Sequence, residues 1–390
     1  MILKFILFIG ITVGILFVAH FLSYIVIVRL LGITSPIVKT VLFISLSFLS
    51  LSFVASFFLV HWWENLFTSS FYIFSATWVG LFLNFWLAVA LSYLLIWVVK
   101  LVGYTPNGQA IAIVSFVMVI FYSAYGVYNA FHPRIKNIEV HMENLPEEWK
   151  NKTIVQLSDV HLGHVHGVGF LERVVRKVNS LNPELVFITG DLFDGMGRKF
   201  IRFVEPLNKL KAKKGVFFIT GNHETYVGVS RALGILEKTK IYFLDNEMVE
   251  IDGLQIVGIG YPGLGGKKDI QSLKGFEGKF SKEKPTILLF HTPTSITQGK
   301  DLKPHASAYW TPHTSFAMSR EMGVDLQLSG HTHAGQLFPF GYLTKLIYKG
   351  YDYGLHNDGR FSIYITCGVG TWGPPMRTGN SPEIVLIKLR

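Results

Sequence analysis

Charge falls along this chain in two regimes. The 390 residues carry 36 basic and 26 acidic side chains, yet only Lys4, Arg29, Lys39, Glu64 and Lys100 precede Pro133. That is ~4% charged before Pro133 and ~22% after it, against roughly 25% in soluble chains. A stretch so poor in charge has the composition of a membrane segment, and a stretch so rich in it has that of a water-soluble domain. A wholly soluble enzyme and a channel running the full length are both excluded, which leaves a membrane-tethered globular domain.

Four uncharged apolar stretches lie in the first third, Phe5 to Val28, Thr40 to Val60, Phe71 to Val99 and Ala110 to Phe131. Each reaches the roughly 20 residues a helix needs to cross hydrocarbon. Lipid satisfies no backbone N–H or C=O group, so each stretch is predicted to be helical, with Trp62, Trp63, Trp97 and Tyr104 as interfacial anchors. The first is too long for a cleaved signal peptide, lacks a small-residue cleavage pattern and precedes three further spans. Four crossings return both flanks to one side. Lys4, Arg134 and Lys136 on one face balance Arg29, Lys39 and Lys100 on the other, so charge leaves the orientation open. The working placement of the soluble domain is cytoplasmic, on a multi-pass cell-membrane protein. Of the Asp, Glu, His, Lys and Arg residues only His20 lies inside a span, and a neutral ring bonded to a neighbouring helix is expected there.

A single cysteine, Cys367, rules out an internal disulfide framework and a thiolate-clustered metal site. The net charge of +10 is diffuse. With no basic run interleaved with aromatics, no nucleic-acid partner is expected, whereas anionic substrates and lipid headgroups suit this balance.

Beyond about Lys136 the pattern becomes short β-rich runs punctuated by Gly, Pro and Asn. Strands are predicted at Thr153 to Leu157, Leu185 to Thr189, Val216 to Thr220, Ile241 to Leu244, Gln255 to Ile259, Thr286 to Phe290, Leu326 to Leu328, Ser362 to Thr366 and Ile384 to Ile387. Helices are predicted at Gly169 to Ser180, Phe200 to Lys211 and Ser230 to Lys238. The alternation argues α/β. The expected organisation is an anchor over 1–132, a linker over 133–152 and a domain over 153–390.

Five of these strands end in polar clusters of one kind: Ser158-Asp159-Val160-His161, Gly190-Asp191-Leu192-Phe193-Asp194, Gly221-Asn222-His223-Glu224, His291-Thr292-Pro293 and Gly330-His331-Thr332-His333. Singly, an Asp after a strand is a turn residue and a Gly-Asn is a turn. Jointly they are another matter, because the carboxyl ends of strands in an α/β sheet converge on one crevice. Carboxylate, carboxamide and imidazole meeting there describe a metal site. His331 and His333, two apart, would serve two ions in extended backbone or else require a bend.

In this order the clusters resemble the calcineurin-like metallophosphoesterase superfamily, from Thr153 to the C-terminus. The tail, with Gly330-His331-Thr332-His333-Ala334-Gly335-Gln336 and Gly373-Pro374-Pro375-Met376-Arg377, looks like the bacterial membrane-associated branch related to phosphodiesterases and lipid-A-pathway pyrophosphatases. The resemblance implies a four-layer αββα sandwich behind the four transmembrane helices, with two divalent ions at the sheet edge. Carried over, Asp159, His161 and His333 hold the first ion, Asn222, His291 and His331 the second, and Asp191 bridges them. His223 resembles the family's catalytic acid, with a purely orienting role as its alternative. Asp194 or Glu224 would orient His223 or a ligating histidine, and Arg377 would either reach a substrate phosphate or play a structural part. His164, His166, His305, His313 and His356 are expected to be loop histidines. Oxygen and imidazole donors without thiolate suit Mn, with Fe or Zn as alternatives.

The expected activity is hydrolysis of phosphodiester or pyrophosphate bonds by metal-activated water, on a phosphate ester that the anchor suggests is lipid-linked. A phosphomonoesterase, a soluble-nucleotide phosphodiesterase and a non-catalytic sensor module are the competing readings. The aromatic, lysine-bearing segment 337–355 is read either as a rim at the bilayer or as ordinary packing.

Overall fold

The computed structural model describes residues 2–195, 199–261, 276, 281–295 and 312–390, with the side chains of 2–6, 8 and 9 left aside. The chain divides into two units, Met1–Tyr128 with Gly373–Met376, and Asn129–Trp372 with Arg377–Arg390.

The first unit holds four long helices, α1 (Ile2–Leu30), α2 (Pro36–Trp62), α3 (Leu66–Leu101) and α4 (Gly108–Ala130), each long and apolar enough to cross a membrane. Their outward positions carry Ile15, Ile44, Phe121 and other large apolar side chains. Several polar side chains are satisfied by their own helix, as an apolar solvent favours. Ser50, Ser52 and Ser56 each donate to the carbonyl three residues back, and Asn65 caps α3 through Thr68. His20 donates Nδ1–H to the Leu16 carbonyl at 2.8 Å and accepts Trp78 Nε1–H at 2.9 Å, with Phe82 stacked at 3.8 Å. It joins α1 to α3, as expected of a neutral histidine bonded to its neighbour.

The second unit is built on two six-stranded mixed sheets. In the first, β1 (Arg134–Val140), β12 (Glu383–Leu389), β2 (Thr153–Leu157), β3 (Leu185–Thr189), β4 (Val216–Ile219) and β5 (Tyr242–Phe243) lie side by side. The second orders β10 (Gly354–Asp358), β11 (Phe361–Ile365), β9 (Leu326–Ser329), β8 (Thr286–Phe290), β7 (Leu254–Ile259) and β6 (Glu247–Ile251). The strands that matter most, β2-β3-β4 and β8-β9, run parallel within their sheets.

Alternation along the strands sorts the core into layers, since successive side chains face opposite ways. Ile154, Leu185, Phe187 and Phe217 of the first sheet meet Ile256, Ile287, Leu289 and Leu328 of the second. Val155, Val186, Ile188 and Phe218 face the other way, under α5 (Val168–Ser180), α6 (Val204–Asn208) and α8 (Val229–Leu236), the last following the short α7 (Asn222–Val227). Val257, Leu288 and Ile363 pack outward beneath Phe316 and Met322, which flank α9 (Ala317–Glu321). The result is the expected four-layer αββα sandwich. Each such side chain, fully buried, contributes about 1.5–3 kcal/mol relative to exposure.

The sequence differs from the structure mainly at sheet edges. The stretch 133–152, expected to be a linker, instead carries β1, paired in parallel with β12, and places Trp149 wholly inside the inter-sheet core. β1, β6 and β10 were not anticipated. All three are edge strands with half-exposed, charge-bearing sequences and so lack the continuous apolar run of a buried strand. The helix expected over Phe200 to Lys211 is a 3-10 turn followed by the five-residue α6, because Pro206 cannot donate the hydrogen bond that would join them.

Candidate metal centre

The five polar clusters sit at the carboxyl ends of β2, β3, β4, β8 and β9. There the backbone leaves the strand sharply: Asp159, Asp191, His161, His331 and His333 take φ of 52°, 51°, 50°, 75° and 50°. Left-handed conformations cost L-residues roughly 1–2 kcal/mol each, and clustered strain of this sort marks functional sites. Here it turns five side chains off their strand axes into one crevice. The bend resolves the His331/His333 spacing, since the two rings join different groups.

Asp159, His161 and His333 form one group, all buried, with His161 Nε2 3.1 Å from His333 Nε2 and His333 Nε2 3.4 Å from Asp159 Oδ1. Asp191, His291 and His331 form another. Asn222 Oδ1 joins it, 2.9 Å from His331 Nδ1 and 3.1 Å from His291 Nε2. Asp191 Oδ2 stands between the two, 3.2 Å from His291 Nε2 and 3.9 Å from His161 Nε2. A third group unites His161, Asp194 and His223.

The donor chemistry fits cations. His291 donates Nδ1–H to the Thr189 carbonyl at 2.8 Å, and a carbonyl only accepts. In the neutral ring Nε2 is then a lone pair, facing two further acceptors, Asn222 Oδ1 and Asp191 Oδ2. Converging acceptors need a proton or a metal ion among them. Burial opposes protonation of His291, yet the Asp191 carboxylate pushes its pKa up to about 9. Burial raises the Asp191 carboxyl, but His291, His223 and His161 outweigh it and hold it well below the usual carboxylate range. Burial holds His161 and His333 low and His331 at about 3. Neutral imidazole is the ligating form.

Glycines let the clusters close. Gly190 has φ +89°, and a Cβ there would stand 2.6 Å from His291 Nδ1. A Cβ on Gly330 would overlap Asp159 Oδ2 and Ser158 Oγ.

The surrounding residues take parts that sequence left open. Glu224 accepts the backbone N–H groups of Gly221, Asp191 and Phe193 at 2.7, 3.0 and 3.0 Å, pinning the β3 and β4 loops together. Burial, then the nearby Asp191, push its carboxyl up to about 7. Asp194 Oδ1 lies 3.7 Å from His223 Nδ1. Burial lowers the His223 pKa, but Asp191, Asp194 and Glu224 together raise it above the ordinary value. Arg377 is wholly buried, donating to the Gly370 and Cys367 carbonyls and to Asn380, with His333 Nδ1 3.1 Å from its guanidinium.

His166 is not a solvated loop residue. It is buried against Phe131 and Phe170, and its Nε2 accepts Thr371 N–H at 2.9 Å. His164 is half-buried and His313 exposed, His356 is half-buried with its Nε2 3.1 Å from the Tyr353 carbonyl, and His305 lies outside the described residues. Sequence gave no hint of Trp372, whose ring is 6.3 Å from that of His223, and named Tyr348, 6.4 Å from His331, only as part of the segment 337–355.

The domain is thus an αββα sandwich with oxygen and imidazole donors gathered at its strand ends. The calcineurin-like phosphoesterase family model matches residues 152–335. An uncharacterized metallophosphoesterase of Aquifex aeolicus is 31% identical over 282 residues, 70% of this chain and 97% of that protein. One from Helicobacter pylori is 36% identical over 264 residues, 66% of this chain and 64% of that protein. A Danio rerio transmembrane protein with metallophosphoesterase domain is 32% identical over 296 residues, 71% of this chain and 62% of that protein. This chain belongs to the calcineurin-like metallophosphoesterase family. It spans somewhat under two thirds of the Helicobacter and Danio relatives.

Proposed function

We propose that this chain is a membrane-anchored, dinuclear metal-dependent phosphohydrolase that cleaves phosphodiester or pyrophosphate bonds, with a lipid-linked phosphate ester as substrate. The observation that carries the reading is a pair of buried donor groups, one of Asp159, His161 and His333 and the other of Asn222, His291 and His331, with Asp191 Oδ2 3.2 Å from His291 Nε2 and 3.9 Å from His161 Nε2. Two divalent ions held there would polarise a phosphoryl oxygen and supply an activated water. Mn is the proposed ion, with Fe and Zn open to the same donors.

The chain's own residues divide the remaining work. His223, its pKa raised by Asp191, Asp194 and Glu224 against the effect of burial, keeps a proton near neutral pH to give to the leaving oxygen. Asp194 holds that ring in place, and Glu224 fixes the loops that carry Asp191 and Asn222. Arg377, its guanidinium spent on backbone carbonyls and Asn380, steadies His333 rather than reaching substrate. Hydrolysis of an aryl phosphodiester by the purified full chain, with Mn supplied and then withdrawn by chelator, tests the reading. Metal-independent turnover, or none with any divalent ion on mono-, di- or pyrophosphate esters, would contradict it.

A further inference from the structure

One surface helix is built the wrong way out for water. α10 (Phe340–Ile347) has no buried residue. Positions three and four apart share a helix face, and Tyr342, Leu343 and Leu346 make such a stripe, 74%, 47% and 76% exposed. Lys345 and Lys349, both exposed, flank it. No Asp or Glu occurs from 334 to 351, and Phe338, also exposed, lies 6.2 Å from the Tyr342 ring.

Apolar and aromatic side chains flanked by lysine, without acid, partition into a lipid headgroup layer. The same chain carries four helices able to cross a membrane, so a bilayer is always near the domain they anchor. A second copy fits less well, because a two-fold contact through this stripe would bring Lys345 and Lys349 against their own kind.

We propose that the exposed face of α10 docks on the anionic headgroup layer of the membrane in which the chain is anchored. Tyr348, just past the helix, places its ring 6.4 Å from His331, so docking brings that side of the candidate metal centre close to the headgroups. That extension, a phosphate ester presented at the lipid surface, rests on the phosphohydrolase reading above.

The test uses the full chain bearing Leu346→Cys, spin-labelled and reconstituted in phosphatidylethanolamine–phosphatidylglycerol vesicles. Native Cys367 is buried and stays unlabelled. Tyr242→Cys, on the exposed edge strand β5, is the reference. Relaxation by oxygen relative to a water-soluble nickel chelate is expected to be several-fold higher at 346 than at 242, and to fall toward the reference when Lys345 and Lys349 are both changed to Glu. Equal ratios at the two sites would overturn the proposal, as would spin–spin broadening between labels at 346, which marks a second copy. Turnover separates the two claims. The double Lys→Glu chain should keep full activity on a soluble aryl phosphodiester and lose several-fold on a vesicle-borne phosphate ester. A chain that docks but hydrolyses neither supports docking and removes the catalytic reading.

Discussion

A Cβ placed on Gly221 would overlap Asp191 Oδ1 and stand 2.6 Å from the Asp191 amide nitrogen. The carboxylate that stands between both donor groups thus owes its position to a missing side chain on the next strand's loop. Gly221→Ala should displace Asp191 by a good fraction of an ångström. Misplacement on that scale costs about 100-fold in turnover. Activity and metal content measured together check this, and an alanine variant with both intact would refute the steric argument.

Removing a donor should be harsher. Asp191→Asn or His331→Ala is expected to abolish hydrolysis of an aryl phosphodiester with metal supplied and to lower bound metal below the wild-type level, because each takes a lone pair from a closed set. Elemental analysis alongside turnover distinguishes lost metal from lost fold.

His223 should behave differently. Its ring lies 3.7 Å from Asp194 Oδ1, and its own backbone N–H donates to Asp191 Oδ1 at 2.8 Å, a bond that alanine keeps. His223→Ala should therefore lose roughly 10²–10⁴-fold in turnover while binding as much metal as wild type. A fall in metal content would make His223 a ligand instead.

Much of this centre was legible because its residues recur in type at the ends of strands whose apolar runs are unmistakable: β2, β3 and β8 span the predicted residues. What stayed hidden depended on long-range partners. Glu224 could be read as an acid near His223 but not as the acceptor of three amides from two loops, and Trp149 in a supposed linker could not be seen to fill the space between sheets. The edge strands β1, β6 and β10 show a water-facing side, so no apolar periodicity announced them. His166 looked like a loop residue because nothing local shows that Phe131, Phe170 and Thr371 enclose it.

Phe187 is wholly buried between the sheets on β3, the strand that ends in the Asp191 cluster. Phe187→Ala should cost about 3–5 kcal/mol by leaving a cavity, seen as a large fall in the Tm of the catalytic unit. Phe187→Leu should cost much less, and equal losses would show that the core collapses around the gap.

Burial pushes the Cys367 thiol up, and the neighbouring Glu383 adds to this. A thiol whose folded pKa lies above its unfolded value favours the folded state's protonated form, so stability from this group is intact below the unfolded pKa and lost as pH rises past roughly 8.5. Native protein at pH 8 should resist iodoacetamide and denatured protein should react at once, as mass spectrometry of the Cys367 peptide would show.

Metal stoichiometry decides whether the two donor groups form a dinuclear centre. Elemental analysis of the full chain, purified in detergent and dialysed against trace Mn, should give two divalent ions per chain, with fewer in Asp191→Asn. A wild-type chain that binds none, or whose hydrolysis of an aryl phosphodiester is indifferent to a strong chelator, would contradict it.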